Sequence, residues 1–210
     1  METAEVQTEQ TTTLRQPEGR LVLVRHGETE WSRTGQHTGV TDLPLTPAGE
    51  EAASGLAGAL EGFDFTLVLS SPLERARRTA ELAGLRPELD RDLVEWDYGA
   101  YEGLTTPQVR EHLGYDWTVF EHGVAPGETP GESVEEVAAR ASRVVRRATS
   151  AMTAGDVVLV AHGHLLRVLT AVFLQKEPRF GAQLLLDAGA LSVLEFERGL
   201  PAVRMWNRPA

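Results

Sequence analysis

The sequence predicts an α/β fold: a three-layer α/β/α sandwich with a mainly parallel, doubly wound sheet. Two observations lead there. Short apolar runs dense in Val and Leu recur at residues 21–24, 65–69 and 157–161, and each reads as a strand buried on both faces. Helix-like stretches separate these runs, and strands alternating with helices close into parallel sheets through right-handed crossovers. At 210 residues, 41% of them hydrophobic, the chain suffices for one domain with a sizeable core.

Residues 1–19 lack periodicity and are rich in Thr and Gln, which predicts a disordered N-terminal tail before a single domain over residues 20–210. The strand at residues 21–24 ends in Arg25-His26-Gly27-Glu28. A weakly amphipathic helix is expected over residues 47–60. After the strand at residues 65–69, Ser71, Pro72 and Glu74 have the spacing of N-cap, N1 and N3, a capping box opening a helix that runs to Ala83. Ser133 and Glu136 repeat that signature ahead of a helix over residues 133–152, whose Val134, Val137, Ala138, Ala141, Val144, Val145 and Ala148 share one face. The strand at residues 157–161 leads into His162-Gly163-His164 and a helix over residues 165–174. Residues 190–196 and 202–206 read as a closing pair of strands joined through residues 198–201. No repeat of fixed period is present.

Composition narrows the function. Twenty Lys and Arg against 31 Asp and Glu leave a formal charge of −11, which argues against nucleic acid or an anionic membrane as partner. An anionic ligand must then meet a local basic pocket. The chain has no Cys, so thiolate catalysis, disulfides and Cys-ligated zinc are excluded. Without an apolar run of bilayer length or a signal-peptide core, the expected location is cytoplasmic. A monomer and a homodimer fit the sequence equally.

Ligands of doubly wound sheets sit beyond the carboxyl ends of the strands. Three predicted strands deliver Arg25 and His26, Ser70 and Ser71 with Arg75 just beyond, and His162 to that edge. Guanidinium groups suit phosphate oxygens, and a neutral imidazole can attack phosphorus, so this set points to phosphoryl transfer. The main chemical rival is a metal held by His26 with His162 or His164; the absence of an accompanying Asp/Glu cluster speaks against it. If His162 and His164 lie on a strand end, alternation lets only one face the pocket.

These residues and their neighbours resemble a known family. Arg25-His26-Gly27-Glu28-Thr29 is similar to the signature of the histidine phosphatase superfamily, in the branch that contains cofactor-dependent phosphoglycerate mutases. Further segments follow in the family's order: Thr38-Gly39; Thr41 to Thr46 with Gly49; Ser70-Ser71-Pro72 with Arg75-Ala76 and Thr79-Ala80; Glu95 with Tyr98-Gly99 and Glu102-Gly103; and His162-Gly163-His164. The resemblance implies a phosphoglycerate mutase-like fold and a metal-independent reaction with no cofactor. It makes His26 the nucleophile and Glu95 the general acid and base. Arg25, Arg75 and a protonated His162 complete the phosphate pocket, and Ser32, Thr38, Gly39, Tyr98, Gly163 and His164 line phosphate or substrate.

Within the family the details favour hydrolysis. Ser32 follows Trp31 where many mutases have Asn, and Trp96 follows Glu95 where mutases place Arg. The stretch between Gly103 and Ser133 is too short for the insertion that encloses a mutase intermediate, and an open site admits water to the phosphohistidine. Segments such as Glu95 to Gly99 and Leu186-Asp187-Ala188-Gly189 look more like acid-phosphatase and sedoheptulose-bisphosphatase-like members. The expected activity is hydrolysis of a small phosphomonoester, a sugar phosphate or similar metabolite, with a mutase or a non-catalytic phosphate-binding module as alternatives. His37, Arg33 and an aromatic rim of Trp31, Trp96, Tyr98 and Tyr101 are candidates for the leaving group, although the aromatics fit ordinary core packing equally. His112 and His122 read as surface residues, and Arg77 and Arg78 as solvent or salt-bridge residues.

Overall fold

A computed structural model describes residues 17–209, so most of the expected tail lies outside the described residues. Gly19, assigned to that tail, is buried instead: its N–H donates to Met152 O (2.9 Å), and the neighbouring Arg20 pairs with Asp156. The chain then forms β1 (Leu21–Arg25), α1 (Glu30–Thr34), α2 (Pro47–Ala59), β2 (Phe65–Ser70), α3 (Glu74–Leu82) and β3 (Glu88–Leu89). There follow α4 (Thr106–Leu113), α5 (Val119–His122), α6 (Val134–Ala151), β4 (Asp156–Ala161), α7 (Gly163–Phe173), β5 (Leu191–Glu197) and β6 (Leu200–Arg208). Short 3₁₀ turns sit at Arg91–Leu93, Gly99–Tyr101 and Pro178–Gln183.

The six strands lie in the order β3-β2-β4-β1-β5-β6. The first four run parallel, in line with the expected mainly parallel sheet, and β5 and β6 add an antiparallel edge. Alternate residues of the central strands face opposite layers, the period-2 consequence of the pleat. Leu21, Leu23, Val157 and Leu159 pack with α6 and α7 on one side. Val22, Val24, Val158 and Val160 pack with Leu56 of α2 and Ala76 and Ala80 of α3 on the other. All eight strand residues are buried, each contributing roughly 1.5–3 kcal/mol by leaving water. No helix among the described residues is long and apolar enough to cross a membrane.

Several expectations change at the element ends. Ser71 does not cap α3, which starts three residues later behind Leu73, without a side-chain cap. Its hydroxyl is engaged by His162 Nε2 at 2.8 Å and reaches only the Leu73 N–H (3.3 Å). The helix after β4 begins at Gly163, immediately behind His162. Strand β2 is only partly buried over its first residues, because its outer neighbour β3 pairs just Leu69 and Ser70. The last hairpin turns on Arg198 and Gly199 alone, both at positive φ (52° and 81°), so β6 starts at Leu200. The capping boxes at Ser133 and at Thr29, and the Thr46 cap of α2, hold their helix starts.

One backbone approach fixes the loop after β1. A Cβ on Gly27 would lie 2.4 Å from Gly49 O, and one on Gly49 would lie 2.2 Å from Glu28 O. Glycine at both positions lets this loop press against the start of α2, holding His26 over the sheet edge.

Candidate active site

The carboxyl ends of β1 and β4 open into a cavity of about 260 Å³ whose wall includes Arg25, His26, Glu95, Tyr98, Gly163 and His164. His26 sits one residue beyond β1 and is buried; its Nδ1 lies 2.7 Å from Gly27 O. A carbonyl can only accept, so Nδ1 carries the ring's proton and Nε2 keeps a lone pair. Burial, then the nearby Arg75 and Arg25, push the His26 imidazole well below its ordinary value, so it is neutral at neutral pH.

Arg25 ends β1. Its Nη1 donates to Leu186 O (2.6 Å), while its Nε is buried with no partner among the described residues. A buried guanidinium donor left unpaired costs free energy unless an anion meets it. A Cβ on Gly163 would come within 3.2 Å of that nitrogen, so the glycine keeps the approach open.

Glu95 is buried beside the start of α7. Oε1 accepts from the Trp96 and Leu165 N–H groups (2.9 and 2.8 Å), and Oε2 from the His164 N–H (3.0 Å). Two of those donors are free N–H groups of the first helical turn, which favour an acidic side chain. Behind it, Arg140 of α6 donates to Glu95 O (3.1 Å), Asp92 O and Val94 O and pairs with Glu132 (2.8 Å), clamping this segment to the helix.

His162 is fully buried, and its ring meets the His26 ring edge-on at 5.1 Å. Arg75 Nε donates to its Nδ1 (3.2 Å), which leaves the single proton on Nε2 to donate to Ser71 Oγ. Burial and Arg75 lower this imidazole well below its usual range. The expected protonated His162 is thus corrected: an arginine donor at Nδ1 leaves no room for a second proton. Arg75, also fully buried, donates its remaining hydrogen bonds to Thr38 O, Gly39 O and Thr41 O (3.0, 3.0 and 2.9 Å), and its Nη1 lies 3.9 Å from the Asp42 carboxylate. Arg75 and His162 therefore stand behind the cavity wall rather than on it.

The remaining expected residues divide. Ser32 and Thr38 reach the cavity, as do Tyr98, Gly163 and His164. Burial raises the Tyr98 phenol well above its ordinary value, so its hydroxyl keeps its proton, and it shares a hydrogen bond with His164 Nδ1. Gly39 does not line the cavity; its N–H donates to both Glu102 oxygens (2.9 Å each). His162 and His164 do not alternate on a strand: one is the residue before α7 and the other lies in its first turn, with His164 on the cavity wall and His162 behind it. Among the aromatics, Trp96, Tyr98 and Tyr101 are core residues, with Tyr98 also reaching the cavity. Arg33 is exposed and paired with Glu30 through two hydrogen bonds (2.7 and 2.8 Å). His112 and His122 are exposed, and Arg77 and Arg78 pair with Glu81 and Glu50.

Two cavity residues are stronger than the sequence suggested. His37 is buried against the Tyr98 ring (centroids 4.7 Å apart), and burial lowers its imidazole to about 4. Arg167 of α7 also lines the wall. Its signal in the sequence is the three-residue step from His164, one helical turn, which brings it to the same side.

Comparison with known proteins agrees with this geometry. Residues 21–209 match the histidine phosphatase superfamily (branch 1). The chain belongs to this superfamily. It is 43% identical over 185 residues to an acid phosphatase of Mycobacterium tuberculosis, covering 86% of this chain and 88% of that protein. It is 37% identical over 181 residues to the sedoheptulose 1,7-bisphosphatase of Saccharomyces cerevisiae, covering 73% and 67%. A solved structure of a Mycobacterium tuberculosis open reading frame superposes with a TM-score of 0.85 at 39% identity, covering 91% of this chain and 98% of that one. The family, the phosphatase class and the α/β fold expected from the sequence are borne out.

Proposed function

We propose that this histidine phosphatase hydrolyses a small phosphomonoester without a metal, through a phosphohistidine on His26. One observation carries the reading: a buried neutral His26 with its Nε2 lone pair free, beside the unpaired Nε donor of Arg25. A nucleophile and an anion-binding donor share one cavity. The activities named for its relatives, an acid phosphatase and a sedoheptulose 1,7-bisphosphatase, support it. Among the described residues no group of three or more His, Asp or Glu could hold a metal ion.

In the first step His26 Nε2 attacks phosphorus, and the ester P–O bond breaks. The leaving oxygen takes its proton from Glu95, giving the free alcohol and a phosphohistidine. Oε1 already accepts two N–H groups and Oε2 only one, so Oε2 is the oxygen that carries the proton. In the second step Glu95 takes a proton from water, whose oxygen attacks phosphorus. Inorganic phosphate leaves and neutral His26 returns. Arg25 offsets the charge on the phosphoryl oxygens, the electrostatic positioning that supplies most catalysis in phosphoryl transfer. Arg75 and His162 act as positioning residues, one tying down residues 38–41 and the other backing His26. Ser32, Thr38, Tyr98, Gly163 and His164 shape the wall around the ester.

The test is phosphate release from a panel of sugar and glycerate phosphates with chelator present. The intact protein is expected to release phosphate and His26→Ala to release none. Release abolished by the chelator, or persisting in His26→Ala, would overturn the mechanism. Glu95→Gln should slow alkyl esters by about 10²–10⁴-fold and 4-nitrophenyl phosphate far less, because nitrophenolate departs with little help from an acid. Equal slowing of both would remove Glu95 from the acid role.

A further inference from the structure

We propose that Glu102 is a positioning residue of the reaction: with Arg75 it grips the backbone of residues 38–41 from opposite sides and so holds Thr38 against the ester. The inference rests on the phosphomonoesterase reading and extends it to a carboxylate that does not border the catalytic cavity.

Residues 38–41 have little packing to fix them. Thr38 faces the catalytic cavity, while Val40 and Thr41 border another of about 480 Å³. Gly39 has no side chain to pack, and Val40 is exposed. Hydrogen bonds must therefore set where this loop lies.

Arg75 takes the carbonyls of Thr38, Gly39 and Thr41. Glu102 takes the amides: Oε1 accepts from the Gly39 and Thr41 N–H groups (2.9 and 3.0 Å), and Oε2 from Gly39 as well (2.9 Å). Gly39 and Thr41 thus each give an N–H to a carboxylate and a C=O to a guanidinium, and bonds to charged partners are about twice as strong as neutral ones. Among the described residues no cation forms a salt bridge with Glu102, so its charge is left for the loop backbone. The approach needs glycine, because a Cβ on Gly39 would lie 2.7 Å from Glu102 Oε2. This is why Gly39, expected on the cavity wall, is turned away from it.

Glu102 is itself tied to the acid side of the site. It directly follows the Gly99–Tyr101 turn behind Tyr98. Beyond it the Gly103 N–H donates to His37 O and the His37 N–H to Leu104 O (2.9 Å each), and Gln36 Nε2 donates to Gly103 O (2.8 Å). The carboxylate therefore sits where the segment carrying Glu95 and Tyr98 meets the segment carrying His37 and Thr38, and it fixes one cavity wall relative to the other.

The experiment is a double-mutant cycle of Glu102→Gln with Thr38→Val, read as kcat/KM on the best ester of the panel, together with amide hydrogen exchange over residues 36–42. Glu102→Gln keeps the side chain's size but removes the charge and one acceptor. It is expected to lower kcat/KM by about 10-fold or more and to speed exchange of the Gly39 and Thr41 amides by a similar factor, the usual worth of a charge-assisted hydrogen bond. Thr38→Val is expected to lower kcat/KM as well. The double variant should fall short of the product of the two single losses by at least about 3-fold, because a displaced loop has already withdrawn Thr38. A merely structural role gives losses that multiply. Should Glu102→Gln fail to fold, Glu102→Asp, which keeps the charge but stops one methylene short of the loop, takes its place in the cycle. A smaller shortfall, either single variant as active as wild type, or unchanged amide exchange would overturn the inference. Failure of the phosphatase reading is distinct: wild type then releases no phosphate from any ester, while amide exchange still decides whether Glu102 holds the loop.

Discussion

His37 makes the stability of the fold depend on pH in a way that can be isolated. Its ring is buried between Tyr98 and Trp117, with Nε2 3.3 Å from Thr106 Oγ1, and burial holds its imidazole at about 4 rather than 6.5. The folded value lies below the unfolded one, so the unfolded chain binds the proton more readily. The contribution is therefore fully present above pH 6.5 and lost as pH falls toward 4. At about 1.4 kcal/mol per pH unit, His37 alone removes about 2.5 kcal/mol of stability between pH 7.5 and 4.5. His26, His162 and His164, also lowered by burial first, add losses of the same sign. The assay is urea unfolding followed by Trp fluorescence at the two pH values, for wild type and His37→Gln. Lost ring packing destabilises the variant equally at both pH values and cancels in the comparison. The variant's drop between pH 7.5 and 4.5 should be smaller than that of wild type by about 2.5 kcal/mol. Identical drops would refute the claim that His37 is buried in its neutral form.

Two further substitutions test the supports of the site. Arg140→Met removes the cation that joins Glu132 to the carbonyls of Asp92, Val94 and Glu95, and should cost about 3–5 kcal/mol by urea unfolding, since Glu132 loses its partner. A loss under 1 kcal/mol would show that the clamp is not tight. Gly39→Ala places a Cβ 2.4 Å from Trp96 O and should cost about 1–3 kcal/mol, lowering Tm and displacing the Thr38 wall. An unchanged Tm would mean that the loop yields without resistance.

The sheet was legible because its central strands are buried on both faces, and such strands have to be continuous in Leu, Val and Ala. The long helix α6 announced itself through Ser133, Glu136 and one apolar face. What escaped were choices settled between distant segments. Ser71 had two possible uses for one hydroxyl, a helix N–H or His162, and only the packing of β2 beside β4 decides between them. Arg140 and Arg167 stand on helices where arginine normally faces water; their burial depends on which carbonyls the neighbouring loops bring up. Strand β3, with two exposed residues, has no pattern to detect. Motif positions located His26, Glu95 and Arg75 but not their charge states, because protonation follows from partners. The neutral His162 is the case in point: its tautomer is set by Arg75 and Ser71, which come from a different strand and helix.

The segment between Gly103 and Ser133 joins the reaction to its selectivity. A lid needs apolar surface to bury when it closes, and this segment has already used its own. Val109, Trp117, Val119 and Phe120 are all buried in the main core, with Trp117 edge-on to Tyr101 at 5.1 Å and its Nε1 donating to Gly123 O (2.9 Å). What it leaves outward is polar or scattered, such as Glu111, His112 and Asp116. With no apolar flap in this segment to fold over the cavity, water can compete with the departed alcohol for the phosphohistidine of the proposed mechanism, and its concentration favours it. The same residues, anchored in the core, put Val119 and Phe120 on the wall of a neighbouring cavity that shares His37, His164 and Arg167 with the first, Phe120 lying under the Arg167 guanidinium. A short connection thus does two things that a long flexible one could not do together: it leaves the site open to water and gives the cavity beside it a fixed wall.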